Sequence, residues 1–178
     1  MDLTERRISG ETIFEGNIIR LVVDQARLPD GNTAAREVVY HPGGVAVLAL
    51  DADQTVTLVR QYRYPIGQVL LELPAGKLDP GEDVLTAAKR ELSEETGLEA
   101  GDWTDLGCVL ASPGFCTEAL HMFLARDLQK MECHPDEEEF LELTVMPFQK
   151  LVGQVMDGTI TDAKTVTLTL KVKAFLGL

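Results

Sequence analysis

The chain has 178 residues, 45% hydrophobic and 6% aromatic, which is enough for one buried core, and it holds no apolar run of membrane length. A formal net charge of −13 excludes recognition of polyanions through a general basic surface, so nucleic acid is not an expected partner and neither is a membrane. The polar opening MDLTERRISGETIF lacks the apolar stretch of a secretory leader, and Cys108, Cys116 and Cys133 form neither a CxxC pair nor an even disulfide set. Reduced thiols and a cytoplasmic location are the expectation.

Residues 17–28 and 34–40 are rich in Val and Ile around Pro29-Asp30-Gly31-Asn32, which predicts an N-terminal β-hairpin. Strands are predicted at 44–50 and 55–62 about the turn Asp51-Ala52-Asp53. A helix at 83–96 follows, then strands at 104–111, 121–125 and 140–147, and helices at 148–156 and 162–176. In the last helix Ala163, Val166, Leu170 and Val172 or Ala174 recur at helical intervals. An α/β fold results, with a mixed sheet between helices.

The chemistry is concentrated between Gly76 and Leu98, GKLDPGEDVLTAAKRELSEETGL. Leu85, Ala88 and Leu92 repeat at helical spacing and Gly97 supplies a left-handed stop. Glu91, Glu94 and Glu95 then fall within an arc of about 100° on one helix face, with Arg90 a turn before Glu94. Oxygen donors packed this densely repel one another unless a cation sits among them, and they suit a hard divalent ion such as Mg²⁺ or Mn²⁺. Bound there, it would also reverse the local potential for an anionic substrate. His41, His121 and His134 lack metal-ligand spacing.

This stretch resembles the signature of the Nudix hydrolases, with Gly76, Glu82, Arg90, Glu91, Leu92, Glu94, Glu95, Gly97 and Leu98 at the fixed positions. The flanks Val59-Arg60-Gln61-Tyr62-Arg63, Leu71-Glu72-Leu73-Pro74-Ala75-Gly76 and Ala111-Ser112-Pro113-Gly114-Phe115 resemble the ADP-ribose pyrophosphatase branch, from about residue 18 to 146. The resemblance implies an α/β/α sandwich behind a small N-terminal β-hairpin, with residues 1–41 building a homodimer and 42–178 forming the hydrolase domain. It implies Glu91 and Glu95 as principal metal ligands, Glu94 sharing, and the Ala75 carbonyl completing the shell. Glu82 would reach a second metal or offset the helix end, an effect of about 0.3–1 kcal/mol. Arg90 would hold a carboxylate in a bidentate pair and orient it.

Substrate contacts implied in the same way are Arg36, Glu37, Arg60, Arg63, Glu72, Pro113 and Gly114. The general base would come from the acidic run ahead of Phe140, with Glu139 first and Glu137 second. The implied reaction is Mg²⁺-dependent hydrolysis of ADP-ribose, or a close nucleoside diphosphate sugar, to AMP and ribose 5-phosphate. The alternatives are another nucleotide sugar such as GDP-mannose, and a Nudix module that senses ADP-ribose without cleaving it.

Overall fold

The computed structural model of the chain describes residues 1–131 and 140–178. The chain divides into two compact units, one of residues 1–43 with 110–119, the other of residues 44–109 with the described part of 120–178.

In the first unit β1 (Arg6–Glu15), β2 (Arg20–Arg27) and β3 (Thr33–Tyr40) form an antiparallel sheet in that order. The expected hairpin is β2-β3. Its turn is made by Asp30, whose side chain accepts from the Asn32 N–H at 2.9 Å, and by Gly31 at φ 89°, a left-handed angle that favours glycine. β2 alternates, turning Val22, Asp24 and Ala26 to a buried face. β1 is a strand beyond those expected. All ten of its residues are exposed, so burial imposes no alternation on its sequence, and alternation is the signal by which a strand is read. Arg7 ties it to Asp24 at 2.8 Å. The 110–119 segment joins β3, with Val39 N–H donating to the Phe115 carbonyl and Thr117 N–H to the Val39 carbonyl.

The second unit is built on β4 (Gly44–Ala49), every residue of which is buried. Next come β5 (Thr55–Arg63), β6 (Gln68–Glu72), β7 (Ala75–Lys77) and helix α1 (Val84–Thr96). They are followed by β8 (Leu98–Leu110), β9 (Ala119–Lys130), β10 (Leu141–Pro147), α2 (Phe148–Met156) and α3 (Ala163–Leu176). Two sheets form, β7-β4-β9-β8 and β10-β5-β6; the first is mixed, with β4 parallel to β9 and antiparallel to β7. The period of two along β4 divides the core. Val45, Val47 and Ala49 pack with Ala87, Ala88 and Leu92 of α1, while Ala46 and Leu48 pack with Leu58, Leu151 and Leu168 on the other side. A strand covered on both faces reads as a continuous apolar run, and each buried Val or Leu contributes about 1.5–3 kcal/mol.

Helix α1 begins where the Asp83 side chain accepts from Thr86 N–H and ends at Gly97 in the left-handed region, its N–H bonded to the Ser93 carbonyl. The buried stripe of α3 is Thr165, Leu168, Thr169 and Val172. Of the stripe expected from Ala163, Val166, Leu170 and Val172 or Ala174, Val172 is buried and Val166 packs partly against the core, whereas Ala163, Leu170 and Ala174 are exposed and two threonines face the core instead. Counting only apolar residues hides a stripe that buried threonines complete. Phe140, expected to open a strand, lies outside β10 and is 87% exposed.

Candidate active site

α1 lies against β7, the three-residue strand that pairs with the start of β4. Contact between them is backbone-close. A Cβ built on Gly76 would sit 1.9 Å from the Glu91 carboxyl carbon, so only glycine leaves room for that carboxylate. One residue earlier, the Ala75 N–H donates to Glu95 Oε2 at 3.0 Å. Glu91 and Glu95 are therefore both held over the β7 backbone, at 9% and 3% exposure.

Arg90 is the hub of this face. Its Nε and Nη2 grip Glu82 in a bidentate pair, both at 3.0 Å. Nη1 donates to Glu91 Oε1 and Glu94 Oε2, each at 2.9 Å, and Nη2 also reaches the Lys77 carbonyl. The Glu82 hydrogen bonds first, then the Glu91 charge and the hydrogen bonds to Glu94 and Glu91, raise the guanidinium pKa well above its ordinary value against the opposing effect of burial. In return the hydrogen bonds from Arg90, then that from the Asp79 N–H, hold the Glu82 carboxyl below the usual glutamate range. Three carboxylates share one guanidinium, with Glu95 a turn away on the Ala75 N–H, so among these bonds negative charge exceeds positive, on oxygen donors alone. That chemistry fits a hard divalent cation. Among the described residues no three His, Cys, Asp or Glu side chains converge as they stand to hold one.

A second charged cluster lies one strand back. Glu72, at the end of β6, is 1% exposed and accepts both arms of Arg63 at 2.9 and 2.7 Å. Lys164 also donates to Glu72, and to Asp162 at 2.9 Å. Burial opposes the Glu72 charge, but Arg63 and Lys164 outweigh it and hold the carboxyl below its ordinary range. The Arg63 guanidinium is correspondingly raised by its bond to Glu72. Here two acids meet two bases, and the charges balance. A cavity of about 420 Å³ opens beside them, lined by Arg63, Ile66, Leu70, Glu72 and Asp162. Another, of about 660 Å³, opens at the far end of β4 beside Leu50, Asp51 and Arg126, and holds none of the expected site residues.

The remaining expected residues are placed as follows. Arg60 pairs with Glu142 across β5 and β10 at 2.7 Å, with both side chains largely exposed. In the first unit Arg36 is bidentate to Glu5 at 2.8 and 2.7 Å, Glu37 stands on β3 opposite Val23, and Pro113 and Gly114 lie in the segment tied to Val39. Glu137 and Glu139 lie outside the described residues. Lys164, Asp162 and Thr165 entered no expectation. The available signal was the run Asp162-Ala163-Lys164-Thr165, where an aspartate opens a helix and is followed at once by a lysine that the helix dipole disfavours.

Comparison with known proteins places these residues in a family. Residues 40–168 match the NUDIX domain, and residues 5–39 the nucleoside diphosphate sugar hydrolase N-terminal domain. The chain is 41% identical over 164 residues to the methanol dehydrogenase activator of Bacillus methanolicus, covering 91% of this chain and 89% of that one. It is also 41% identical over 165 residues to the ADP-ribose pyrophosphatase of Bacillus subtilis (strain 168), covering 92% and 89%. A solved structure described as an ADP compounds hydrolase superposes with a TM-score of 0.86 at 24% identity, over 99% of this chain and 97% of that one, and so shares its fold. With the domain match running through β7, α1 and the carboxylates gathered on them, the chain belongs to the Nudix hydrolase family.

Proposed function

We propose that the chain hydrolyses the diphosphate of ADP-ribose to AMP and ribose 5-phosphate, using Mg²⁺ with Mn²⁺ as a substitute, and acts in the cytoplasm as a homodimer. The observation that carries the reading is the cluster of Glu82, Glu91 and Glu94 around Arg90, with Glu91 and Glu95 over the backbone of Gly76 and Ala75. The name borne by the Bacillus subtilis relative supports ADP-ribose as substrate. Nudix hydrolases work with divalent metals. Here such an ion would neutralise the diphosphate and acidify a water molecule.

Glu91 and Glu95 would hold the metal together with the Ala75 carbonyl, Glu94 would share it, and Glu82 would anchor Arg90. Arg90 keeps Glu91 and Glu94 side by side against their mutual repulsion, which positions them before a cation arrives. In the reaction a water oxygen bonds to one phosphorus, the bridging P–O bond breaks, and the water proton passes to Glu139, with Glu137 as the alternative base. Arg60 and Arg36 now hold exposed carboxylates, and solvent screens such pairs, so either can exchange its partner for substrate at little cost. Arg63 and Glu72 would line the substrate cleft, with Glu37, Pro113 and Gly114 completing the contacts.

Residues 1–41 are assigned to the dimer interface and 42–178 to catalysis. The exposure of three large apolar side chains of β1, Ile8, Ile13 and Phe14, supports this assignment, since association would remove them from water. The experiment is a panel of ADP-ribose, GDP-mannose and other nucleotide sugars at equal concentration, with Mg²⁺ or with a chelator. ADP-ribose should give the highest kcat/KM, with all turnover lost on chelation. Preference for GDP-mannose would reassign the substrate, and binding of ADP-ribose without turnover would identify a sensing module.

A further inference from the structure

The charge cluster of Arg63, Glu72, Asp162 and Lys164 is only half explained by the reading above. Arg63 reaches Glu72 from the side of the 420 Å³ cavity, but Lys164 belongs to α3 and is 92 residues away from Glu72 in sequence. Lysine in the first turn of a helix opposes the helix dipole, and a buried ionic cluster is seldom more stabilising than apolar residues of the same volume. Lys164 is nonetheless held there at 11% side-chain exposure, bonded to Glu72 and to the capping residue Asp162. Helix stability does not account for it.

The bonds that continue from this cluster lead into the candidate metal site. Thr165, fully buried, donates its hydroxyl to Asp162 Oδ2 at 2.6 Å, and its own Oγ1 accepts the Leu73 N–H at 2.9 Å. The Pro74 carbonyl accepts from Val47 N–H at 2.9 Å, Ala75 N–H donates to Glu95, and Gly76 lies under Glu91. From 72 to 76 every residue is tied to another element, Pro74 to β4 and the last two to α1. The first two in that run are fixed by α3.

We propose that Lys164 and Thr165 are positioning residues: the first turn of α3 clamps Glu72 and Leu73, and thereby sets where Ala75 and Gly76 meet the carboxylates of α1. This rests on the metal-dependent reading of that site. Removing the Thr165 hydroxyl leaves the Leu73 N–H buried without an acceptor, and removing the Lys164 charge unties the Glu72 end of the run from α3, leaving it to Arg63 alone. The strand that presents the Ala75 carbonyl then loses its fixed position while the apolar core stays intact.

The test compares Thr165→Val, Thr165→Ser and Lys164→Gln with the parent chain, using Leu151→Ala in the same core as a control destabilised elsewhere. Two readouts need no substrate: amide hydrogen exchange over residues 70–77 in metal-free protein, and Mn²⁺ affinity from electron paramagnetic resonance. In Thr165→Val and Lys164→Gln, exchange should rise and Mn²⁺ affinity fall, each about tenfold, the effect of losing one buried hydrogen bond. Thr165→Ser should restore both, and Leu151→Ala should change neither selectively. Parent-like exchange and Mn²⁺ affinity in both Thr165→Val and Lys164→Gln would overturn the proposal. Should Thr165→Val fail to fold, Lys164→Gln decides by the same two measurements. Absence of Mn²⁺ binding by the parent would instead refute the metal reading, and hydrogen exchange would still decide the clamp.

Discussion

Two charged clusters stand a few residues apart in the second unit, and they are built on opposite principles. Around the buried Glu72 two acids meet two bases, Arg63 reaching in from the surface, and every charge there has a partner of opposite sign. Around Arg90 three carboxylates divide one guanidinium, on a face that leaves Arg90 30% and Glu94 33% exposed. A balanced, buried cluster resists rearrangement, because removing any member strands a charge. An unbalanced one is poised to accept a cation. The first belongs to the frame of the site and the second to its chemistry, and each prediction below can break that division.

The largest effect should come from the unbalanced cluster. Glu91→Gln or Glu95→Gln keeps the shape and removes a ligand charge, so kcat should fall about a hundredfold or more, some 2.7 kcal/mol of transition-state stabilisation, while Tm barely moves. Steady-state turnover at saturating Mg²⁺ with calorimetry checks both halves; parent-like kcat in either variant would remove the cluster from the chemistry.

The balanced cluster should respond in stability. Glu72→Ala strands Arg63 and Lys164, and because Arg63 is partly exposed the expected loss is about 2–3 kcal/mol, below the full figure for a wholly buried pair. Urea unfolding measures it, and a loss under about 0.5 kcal/mol, the level of an exposed pair, would show the cluster to be peripheral. The same carboxylate sets a pH signature. Its folded pKa is depressed, so its contribution is complete above the unfolded glutamate value and disappears as pH falls below about 4 through the folded value. Glu72→Gln should therefore flatten the acid limb of the stability curve, and an unchanged limb would assign acid unfolding to other carboxylates.

The smallest effect separates the two helix caps. Asp83 caps α1 and holds only Thr86, so Asp83→Ala should cost about 1 kcal/mol. Asp162 caps α3 and also holds Lys164, so Asp162→Ala should cost measurably more in the same assay. Equal losses would mean that Lys164 gains nothing from its second partner.

These contrasts also explain what could be read from residue order. Glu91, Glu94, Glu95 and Arg90 lie within one and a half helical turns, so their common face follows from periodicity alone. The cap and stop of α1 at Asp83 and Gly97 are local signals too. Lys164 and Glu72 meet only after the chain has folded back over 92 residues, and no periodicity encodes that meeting. β1 was illegible for the opposite reason, since neither of its faces is buried and nothing enforces alternation. The short β6 and β7 escaped because a proline and a glycine break their run, and pairing with β5 and β4 makes strands of them. In α3 the threonines Thr165 and Thr169 face inward, where a count of apolar residues overlooks them.

The bond from Leu73 N–H to the Thr165 hydroxyl has a consequence for synthesis, because its two ends are made far apart in time. A ribosome delivers β7 and α1 nearly together, so their pairing can assemble as soon as both have emerged, well before the last helix is translated. Until α3 arrives the cleft is assembled but slack. Under the proposed clamp the arrival of α3 is then what tightens it, so a nascent chain that has not yet made α3 would carry every carboxylate of the cluster beside a strand held from one side only.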